Sequence, residues 1–253
     1  MLTSATWAPK GSQVAGVPIT YVARVESGRI SLLWINAPAL RFRLVPGTEV
    51  PENSPATAAD NEPSTWVPRL AAAFNGGFWL KDHPGGYYYD GTTVTPMRPG
   101  YASLVISTTG RISVQTWKAG TTVGSGVAVV RQNLPPMIVN FRVRSNGTPT
   151  HPTWGLPTKG QYVTNRSALG ELADGTLVYE FGYHVTPDQM ATAMELAHAR
   201  TAMSLDMNGS WPMAFTYTHP AGVSGMRVDA REYHDPSIYY TRYRKDFITA
   251  LLP

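Results

Sequence analysis

The sequence predicts an α+β fold, in which a single, mainly-β domain of mixed or antiparallel sheet carries a few helices. The 253 residues include 23 Gly, 21 Pro and 13 Tyr, a composition that favours short strands and turns over long helices. Several short runs alternate between apolar and polar residues and end at turn residues. Because 43% of the residues are apolar and 15% are charged, the chain can bury one substantial core. We therefore expect residues 1–253 to form one domain, with 1–18 resembling a linker or a trimmed terminus.

The N-terminal part of the chain predicts a hairpin, a further strand and a loop. Residues 19–25 and 30–36 alternate in polarity on either side of a Glu-Ser-Gly-Arg turn, which is typical of a hairpin. Residues 41–46 are predicted to extend the same sheet. The stretch 51–65 is rich in Pro, Asn, Ser and Ala without periodicity, so a surface loop is expected there. Residues 66–74 are predicted to form a short helix.

Two further hairpins are predicted in the middle of the chain. Residues 102–107 and 111–117 flank a Thr-Thr-Gly turn, and residues 165–182 hold two apolar runs around an Asp-Gly turn. Between these hairpins, residues 120–160 predict one or two strands followed by a long, polar, Pro-rich excursion. Long loops of this kind are usually either binding loops or disordered segments, and both alternatives stay open here.

The clearest helix signal lies at residues 186–199. Thr186 is in position to cap the helix, Pro187 suits its first turn, and Gln189 completes a capping box. Apolar residues recur at helical spacing behind this cap. A buried strand is predicted next, at residues 201–206, and the tail 239–252 is predicted to end in a short helix.

The charge pattern favours a small anionic ligand over nucleic acid. The net charge is +4, and the densest basic cluster holds three residues, Arg242, Arg244 and Lys245, which we interpret as a solvated helix face. A mild positive field suits a phosphate ester, and no nucleic-acid partner is predicted. The sequence contains no cysteine, which excludes disulfides and thiolate metal sites. It also contains no apolar run of eighteen residues and no leader at Met1, so no membrane span is expected in this chain.

Two charged residues lie at the ends of apolar strands. Asp206 ends the run Ala-Met-Ser-Leu, and a carboxylate at the edge of a core is costly unless it is paired or hydrogen-bonded. Arg166 begins a strand of small apolar residues, and its guanidinium can bind a carboxylate or a phosphate at two points. If the two strands share a sheet, both side chains could meet at its rim. The alternatives are that Asp206 caps its own turn and that Arg166 pairs with a structural acid.

Doubled glycines follow a polar residue in the segment 71–91. Gly76 and Gly77 come directly after Asn75, permit positive φ and would let a ligand approach the main chain, while the Asn75 amide can donate and accept. Turned backbone amides of this kind form anion-binding concavities. The alternative is a bulge in a strand. The second pair, in residues 84–91, is equally consistent with a plain hairpin that turns at an Asp-Gly pair.

Other common kinds of active site find little support. The six histidines show no metal spacing, no Gly-x-Ser-x-Gly motif occurs, and the glycines fit neither a P-loop nor the dinucleotide fingerprint. We therefore predict no metal and no cofactor. Oxygen atoms of Asp206 and Asn208 could coordinate a hard cation together with a phosphate, but such a site is not predicted.

Three separated stretches resemble blocks of the phosphodiester glycosidase family. FNGGFW with GGYYYDG, NRSALGELADGTLVYEFG, and ARTAMSLDMNGSW are similar to its NGGFF, R-[ST]-A-[IVL]-G-x(n)-DG and NLDGGGS blocks. Their order and spacing match over about residues 71–211. Where the family has three glycines after its Asp, this chain has Met207, Asn208 and Gly209, and in this it resembles a variant group of actinobacterial cell-envelope proteins.

The resemblance implies hydrolysis of a sugar-1-phosphodiester in a phosphorylated glycan, with release of a free sugar and a phosphomonoester, in a secreted or cell-envelope setting. It places Asn75, Arg166 and Asp206 at the site. A departing phosphodiester is already a stable anion, so the reaction needs positive charge at the phosphate and one carboxylate at the anomeric carbon. We assign Asp206 as nucleophile or general base and Arg166 as phosphate clamp.

In the same interpretation, Asn75 with the amides of Gly76 and Gly77 holds phosphate or a sugar hydroxyl. Further substrate contacts are predicted for three residues: Asn208, Trp211 and His184. Two other functions stay open at this point, a binding module for phosphorylated envelope glycans that does not cleave them, and an interaction domain whose glycine pairs are only turns.

Overall fold

The computed structural model describes residues 5–148, 151–156 and 160–253, and these residues are mainly β. They contain one α-helix, α1 (Pro187–Leu196). They also contain short 3-10 segments at Glu26–Gly28, Ala37–Ala39, Pro63–Thr65, Val67–Arg69, Leu80–Asp82 and Pro236–Tyr240. The strands of the first half are β1 (Ala8–Pro9), β2 (Gln13–Val14), β3 (Val17–Pro18), β4 (Thr20–Val25), β5 (Ile30–Ile35), β6 (Arg41–Val45), β7 (Leu70–Asn75), β8 (Tyr87–Tyr89), β9 (Thr92–Thr95), β10 (Ala102–Ser107) and β11 (Ile112–Thr116). The strands of the second half are β12 (Val127–Gln132), β13 (Ile138–Val139), β14 (Arg142–Val143), β15 (Gly147–Thr148), β16 (His151–Pro152), β17 (Thr164–Glu171), β18 (Leu177–Val185), β19 (Thr201–Met207), β20 (Ala214–Thr218), β21 (Ser224–Arg227) and β22 (Phe247–Leu251).

Three larger sheets form the body of the described structure. One has eight strands in the order β1-β4-β5-β18-β17-β19-β13-β14. The other two have five strands each, in the orders β11-β10-β12-β8-β9 and β21-β20-β7-β22-β6. Two short hairpins, β2-β3 and β15-β16, complete the set. Every strand pairing in the described residues is antiparallel, so the sheets are antiparallel and none is mixed.

The largest apolar cluster takes side chains from all three sheets. Leu33 and Tyr179 come from the eight-stranded sheet, Phe74 and Ile248 from the β7-β22 sheet, and Leu104 from the β10 sheet. A second cluster fills the space between the opposite face of the eight-stranded sheet and α1. The eight-stranded sheet is therefore buried on both faces, and its central strands β5, β18, β17 and β19 are buried along most of their length.

The predicted hairpins are confirmed. β4 pairs with β5, β10 with β11, and β17 with β18 around the predicted Asp-Gly turn. β8 and β9 form the hairpin that turns at Asp90 and Gly91, where φ is 39° and 87°. Helix α1 is also confirmed, because the Thr186 side chain accepts from the Gln189 amide and the Gln189 side chain accepts from Thr186. The loop at 51–65 is confirmed up to a short 3-10 segment at its end.

Three predictions about elements are wrong. Residues 41–46 do not extend the first hairpin, because β6 pairs with β22 in a different sheet. Residues 66–74 form a single 3-10 turn and then β7, and the tail forms β22 where a helix was expected. β7 and β22 lie side by side with all eleven residues buried, so tertiary burial overrides the helical preference of alanine and leucine.

Two other predicted segments have mixed outcomes. Within residues 1–18, predicted to resemble a linker, β1 pairs with β4 in the eight-stranded sheet, and β2 and β3 form a separate hairpin. The excursion of 120–160 contains β12 to β16 in its described part, and residues 149–150 and 157–159 lie outside the described residues.

Candidate functional site

The candidate site lies where the ends of β7 and β19 meet the start of β22. Asn75 is the last residue of β7 and pairs with Phe247, the first residue of β22. Lys245 and Asp246 directly precede Phe247, and the Asp246 carbonyl accepts a hydrogen bond of 3.0 Å from the Gly76 amide. This backbone register brings Lys245, from the end of the chain, to Asp206, near the end of β19.

A buried ion pair joins Asp206 to Lys245. The Lys245 ammonium donates to Oδ2 of Asp206, and both side chains are 5% exposed. Oδ1 accepts a hydrogen bond of 2.8 Å from the Met207 amide. Burial raises the pKa of the Asp206 carboxyl to about 6, although Lys245 and the Met207 amide lower it. This carboxylate is therefore a base poised near neutral pH.

A cavity of about 400 Å³ opens above this ion pair. Its walls are aromatic, formed by Phe78, Trp79 and Trp211, and Asp206 and Lys245 are among its polar lining groups. Leu134, Leu156, Met207, Asn208, Gly155 and Asp82 complete the lining. A carboxylate and an ammonium between tryptophan walls match the chemistry of a ligand with an apolar sugar face and a negative group.

One loop anchors both walls of the cavity. The amides of Glu49 and Val50 each donate 3.0 Å hydrogen bonds to the carbonyl of Arg244, which fixes the backbone beside Lys245. The Glu52 carboxylate accepts a 2.8 Å hydrogen bond from the Leu80 amide, directly after Trp79. Hydrogen bonds within the protein thus hold the backbone of both walls in place.

Arg166 and Asp206 do not face each other, contrary to the prediction that both side chains meet at the rim of the sheet. Arg166 lies directly opposite Met207 in the β17-β19 pairing, and directly opposite residues share a face of the sheet. Its Nη1 lies 3.6 Å from the Met207 sulfur and its Nη2 donates 3.1 Å to the Tyr162 carbonyl, while the buried Nε has no partner among the described residues. Burial lowers the pKa of Arg166 to about 10. The cation beside Asp206 is Lys245.

Asn75 lies behind Asp206. Its Nδ2 donates a 3.0 Å hydrogen bond to Ser167 Oγ, which in turn accepts 3.1 Å from the Asp206 amide. Its Oδ1 accepts from the Tyr179 hydroxyl and the Met213 amide, at 2.8 and 3.1 Å. With both ends of its amide occupied by protein, Asn75 ties together strands of two sheets and positions Asp206.

The two glycines after Asn75 are required because neighbouring side chains lie too close to their Cα atoms to leave room for a Cβ. Neither Gly76 nor Gly77 has a positive φ, which corrects the sequence-based expectation. A Cβ on Gly76 would lie 2.5 Å from the Asp246 carboxyl carbon, and one on Gly77 would lie 2.7 Å from Asn133 Oδ1. Since the Gly76 amide bonds to the Asp246 carbonyl, it is not directed at a ligand.

The remaining predicted contacts divide between two places. Asn208, with φ of 72°, and Trp211 line the cavity, and the Trp211 amide donates 3.1 Å to the Asn208 carbonyl. His184 is exposed and lies in a separate depression with Asn165 and Gly209. The structure therefore brings Asn208 and Trp211 to Asp206 and leaves His184 outside the cavity.

The sequence analysis missed Lys245, Arg244 and Trp79. The three bases near the end of the chain were interpreted as a solvated helix face, and the Trp79 signal was lost among other aromatics. One available signal was that Lys245 and Asp246 directly precede a mostly apolar stretch, Phe247–Leu251, where charged groups need partners. Asp246 pairs with the buried Arg131 at 3.0 Å.

In the described part of the chain, no group of three or more His, Asp or Glu side chains is arranged to hold a metal ion, and no helix is long and apolar enough to cross a bilayer.

Comparison with known proteins yields a match of fold only. No protein-family model matches the chain, and no curated protein does. Among solved structures, the chain is similar to the catalytic domain of zebrafish N-acetylglucosamine-1-phosphodiester alpha-N-acetylglucosaminidase, auto-inhibited by its pro-peptide, at 12% identity and a TM-score of 0.56 over 98% of this chain and 88% of that chain. It is also similar to a hypothetical protein from Synechocystis, at 12% identity and a TM-score of 0.45 over 98% of this chain and 62% of that chain. The first likeness shows a distant structural relationship.

Proposed function

We propose that this protein hydrolyses a sugar-1-phosphodiester bond in a phosphorylated glycan and releases the sugar and a phosphomonoester. The observation that carries the proposal is the buried Asp206 carboxylate, paired with Lys245 at the base of a cavity with tryptophan walls. The fold likeness to a phosphodiester-cleaving catalytic domain supports it. A secreted or cell-envelope location is part of the same proposal.

Asp206 acts as the general base that activates a water molecule for attack on the anomeric carbon. It accepts a proton from water while the water oxygen bonds to that carbon. The bond between the anomeric carbon and the phosphate oxygen breaks, and its electron pair leaves with the phosphomonoester. Because this leaving group is a stable anion, no second carboxylic acid has to protonate it. Direct attack by Asp206 on the same carbon is the alternative first step, with water releasing the sugar afterwards.

Lys245 takes the phosphate-binding role that the sequence suggested for Arg166. Its ammonium already contacts Asp206 and lies 4.7 Å from the centre of the Trp211 ring, so it reaches the cavity as well as the carboxylate. A preorganised cation that is buried at the point where negative charge develops lowers the barrier without reorganisation. Arg166 supports Met207 and the Tyr162 carbonyl, and Asn75 with Ser167 holds the Asp206 backbone.

The test is to compare Asp206→Asn and Lys245→Gln with the wild-type protein on a panel of α- and β-linked sugar-1-phosphate methyl esters. Phosphorus NMR measures release of the phosphomonoester. Loss of one electrostatic contact of this kind is expected to cut the rate on the order of 10²-fold. Asp229→Asn is the matched control, because it removes another buried, ion-paired carboxylate that lies outside the cavity. Wild-type rates in both site variants would contradict the assignment.

A binding module that no longer cleaves is the second candidate. One observation favours it: Lys245 neutralises Asp206, and Met207 and Asn208 line the cavity at positions where the family pattern has glycine. Calorimetry with the same esters separates the two functions. Binding without release of phosphomonoester by the wild-type protein supports the binding module.

A further inference from the structure

Cations and tryptophans alternate from the cavity, which Lys245, Trp211 and Trp79 line, outward to Arg244 and Lys81. Lys245 Nζ lies 4.7 Å from the centre of the Trp211 ring, and the Arg244 guanidinium lies 5.7 Å from that ring. The same guanidinium lies 5.7 Å from the Trp79 ring, and Lys81 Nζ lies 4.3 Å from it. All four distances fall within the range of cation–π contact. We call these five residues, Lys245, Trp211, Arg244, Trp79 and Lys81, the cation–tryptophan track.

The track runs from the buried floor of the site to solvent. Lys245 is buried, Trp211 and Trp79 are half-buried, and Lys81 is exposed. The Arg244 side chain is 48% exposed and pairs at 2.7 Å with Glu49. Lys81 forms no ion pair with any residue that the structure describes. Three positive charges thus follow one another outward. Asp206 pairs with Lys245 and Glu49 pairs with Arg244, while the Glu52 carboxylate accepts from the Lys81 amide and makes no ion pair with the Lys81 ammonium.

The backbone holds this series in place. The Arg244 carbonyl is fixed by two amides of the loop that also carries Glu49, and the amides of Leu80 and Lys81 both donate to the Glu52 carboxylate, at 2.8 and 3.3 Å. A Cβ on Gly47 would lie 2.3 Å from the Arg244 carbonyl oxygen, so the loop packs against the track at its closest approach. Preorganised walls of this kind reduce the entropy lost on binding.

We propose that the track binds a chain carrying several negative groups, so that the substrate is a polymer of sugars joined by phosphodiesters. This inference rests on the proposed function. One phosphodiester lies at Lys245 and Asp206, and the next phosphate lies at Arg244, where it displaces Glu49. Sugar rings between the phosphates pack against the half-buried indoles of Trp211 and Trp79 where these line the cavity, beside the cations that lie over the rings. Lys81 receives the outermost phosphate.

The test uses inorganic polyphosphate, which carries the repeated charge but has no anomeric carbon to cleave. Calorimetry at fixed salt compares orthophosphate, tripolyphosphate and longer chains on the wild-type protein. Affinity is expected to rise with chain length. Arg244→Gln and Lys81→Gln are each expected to weaken binding of the long chain about fivefold and to weaken binding of orthophosphate less, since each removes one of several exposed charges that only the long chain contacts together. Arg244→Lys should retain most of the affinity, and Glu49→Gln should increase it.

Arg242→Gln is the matched control. Arg242 is 51% exposed and pairs with Glu62 at 3.7 Å, which resembles the Arg244–Glu49 pair, but it contacts neither tryptophan of the track. Equal losses in Arg242→Gln and Arg244→Gln would reduce the effect to general surface charge and overturn the proposal. Equal affinity for orthophosphate and long chains would overturn it too.

The outcome is separable from the proposed hydrolysis. If the protein cleaves a small sugar-1-phosphate ester but chain length does not affect binding, the proposal of a polyanion-binding track is overturned and the proposed hydrolase activity stands. If longer chains bind more tightly, this effect depends on Arg244 and no ester is cleaved, the protein has a polyanion-binding site and the proposed hydrolase activity is overturned.

Discussion

At the scale of single residues, burial decides the chemistry of Asp206. Its side chain is 5% exposed, and removal from water costs the ionised form more than Lys245 restores, so the pKa rises to about 6. The same burial makes Lys245 a fixed partner for that carboxylate. A sequence motif names the carboxylate, but only its surroundings set the pH range in which it can act as a base.

The raised pKa of Asp206 predicts opposite effects of pH on activity and on stability. Because the base must be ionised, kcat/KM should fall about tenfold per pH unit below about pH 6. The folded pKa lies above the ordinary value of 3.8, so the folded state binds more protons between about pH 4 and 6. The contribution of this group to the free energy of unfolding is therefore present below about pH 4 and is lost as the pH rises through about 6.

Urea unfolding of the wild-type protein and of Asp206→Asn between pH 4 and 7 measures how the free energy of unfolding depends on pH. The pH profile of ester cleavage by the wild-type protein measures how kcat/KM depends on pH. The difference in the free energy of unfolding between the two proteins should change over this interval. A constant difference would place the pKa of Asp206 at its unfolded value.

At the scale of elements, the contact between α1 and the eight-stranded sheet contains a buried acid. Glu180, in β18, lies directly opposite Leu32 and Ala168, which belong to the apolar cluster beneath the helix. Glu180 is fully buried, neither carboxyl oxygen has a hydrogen-bond partner among the described residues, and burial raises its pKa well above the usual range. Burial therefore favours the protonated, neutral form of this carboxyl in the folded protein.

Replacement of Glu180 should remove an alkaline sensitivity of this contact. Since the folded pKa is raised, the stabilisation is lost as the pH rises toward the folded pKa, and the wild-type protein should melt at a lower temperature at pH 9 than at pH 7. Glu180→Gln should reduce that difference, and Glu180→Leu should also raise the melting temperature at pH 7, because an apolar side chain of similar size needs no partner. Calorimetric melts at both pH values give the answer, and an unchanged pH difference in both variants would contradict it.

At the scale of the whole molecule, the last strand, β22, is inserted between two strands from the first third of the chain. β22 lies between β7 and β6, and all five of its residues are buried. Lys245 and Asp246 precede it directly, so the same register that completes the sheet also brings the ammonium to Asp206. The fold and the site are therefore completed by the same segment.

A chain that ends at Asp246 should not fold cooperatively. Without β22, the ladders of β6 and β7 lose their shared partner and the apolar cluster around Ile248 loses one wall. Circular dichroism and urea titration of the shortened protein should show no cooperative transition. Removal of Pro253 alone, an exposed residue beyond β22, is the control and should leave the transition in place. A native-like transition in the shortened chain would mean that β22 is dispensable.

Local sequence signals predicted the elements that depend on near neighbours. The capping box at Thr186, the Asp-Gly turns and the alternation in β4, β5, β10 and β11 act within a few residues, and the structure confirms them. β7 and β22 were missed because a fully buried strand shows no alternation and Ala-rich segments also suit a helix. β6 was assigned to the wrong sheet because its partner lies about two hundred residues away in the chain.

Sequence patterns were enough to predict a mainly-β fold and to select Asp206, Asn208 and Trp211, which line one cavity. The partner of Asp206 could not be predicted in this way, because it depends on how distant strands pair. Cross-strand pairing directs Arg166 toward Met207, and the pairing of β22 with β7 delivers Lys245. The physical reason is that the face on which a strand residue lies, and the charge that meets it there, depend on the register between strands distant in sequence, and no local pattern encodes that register.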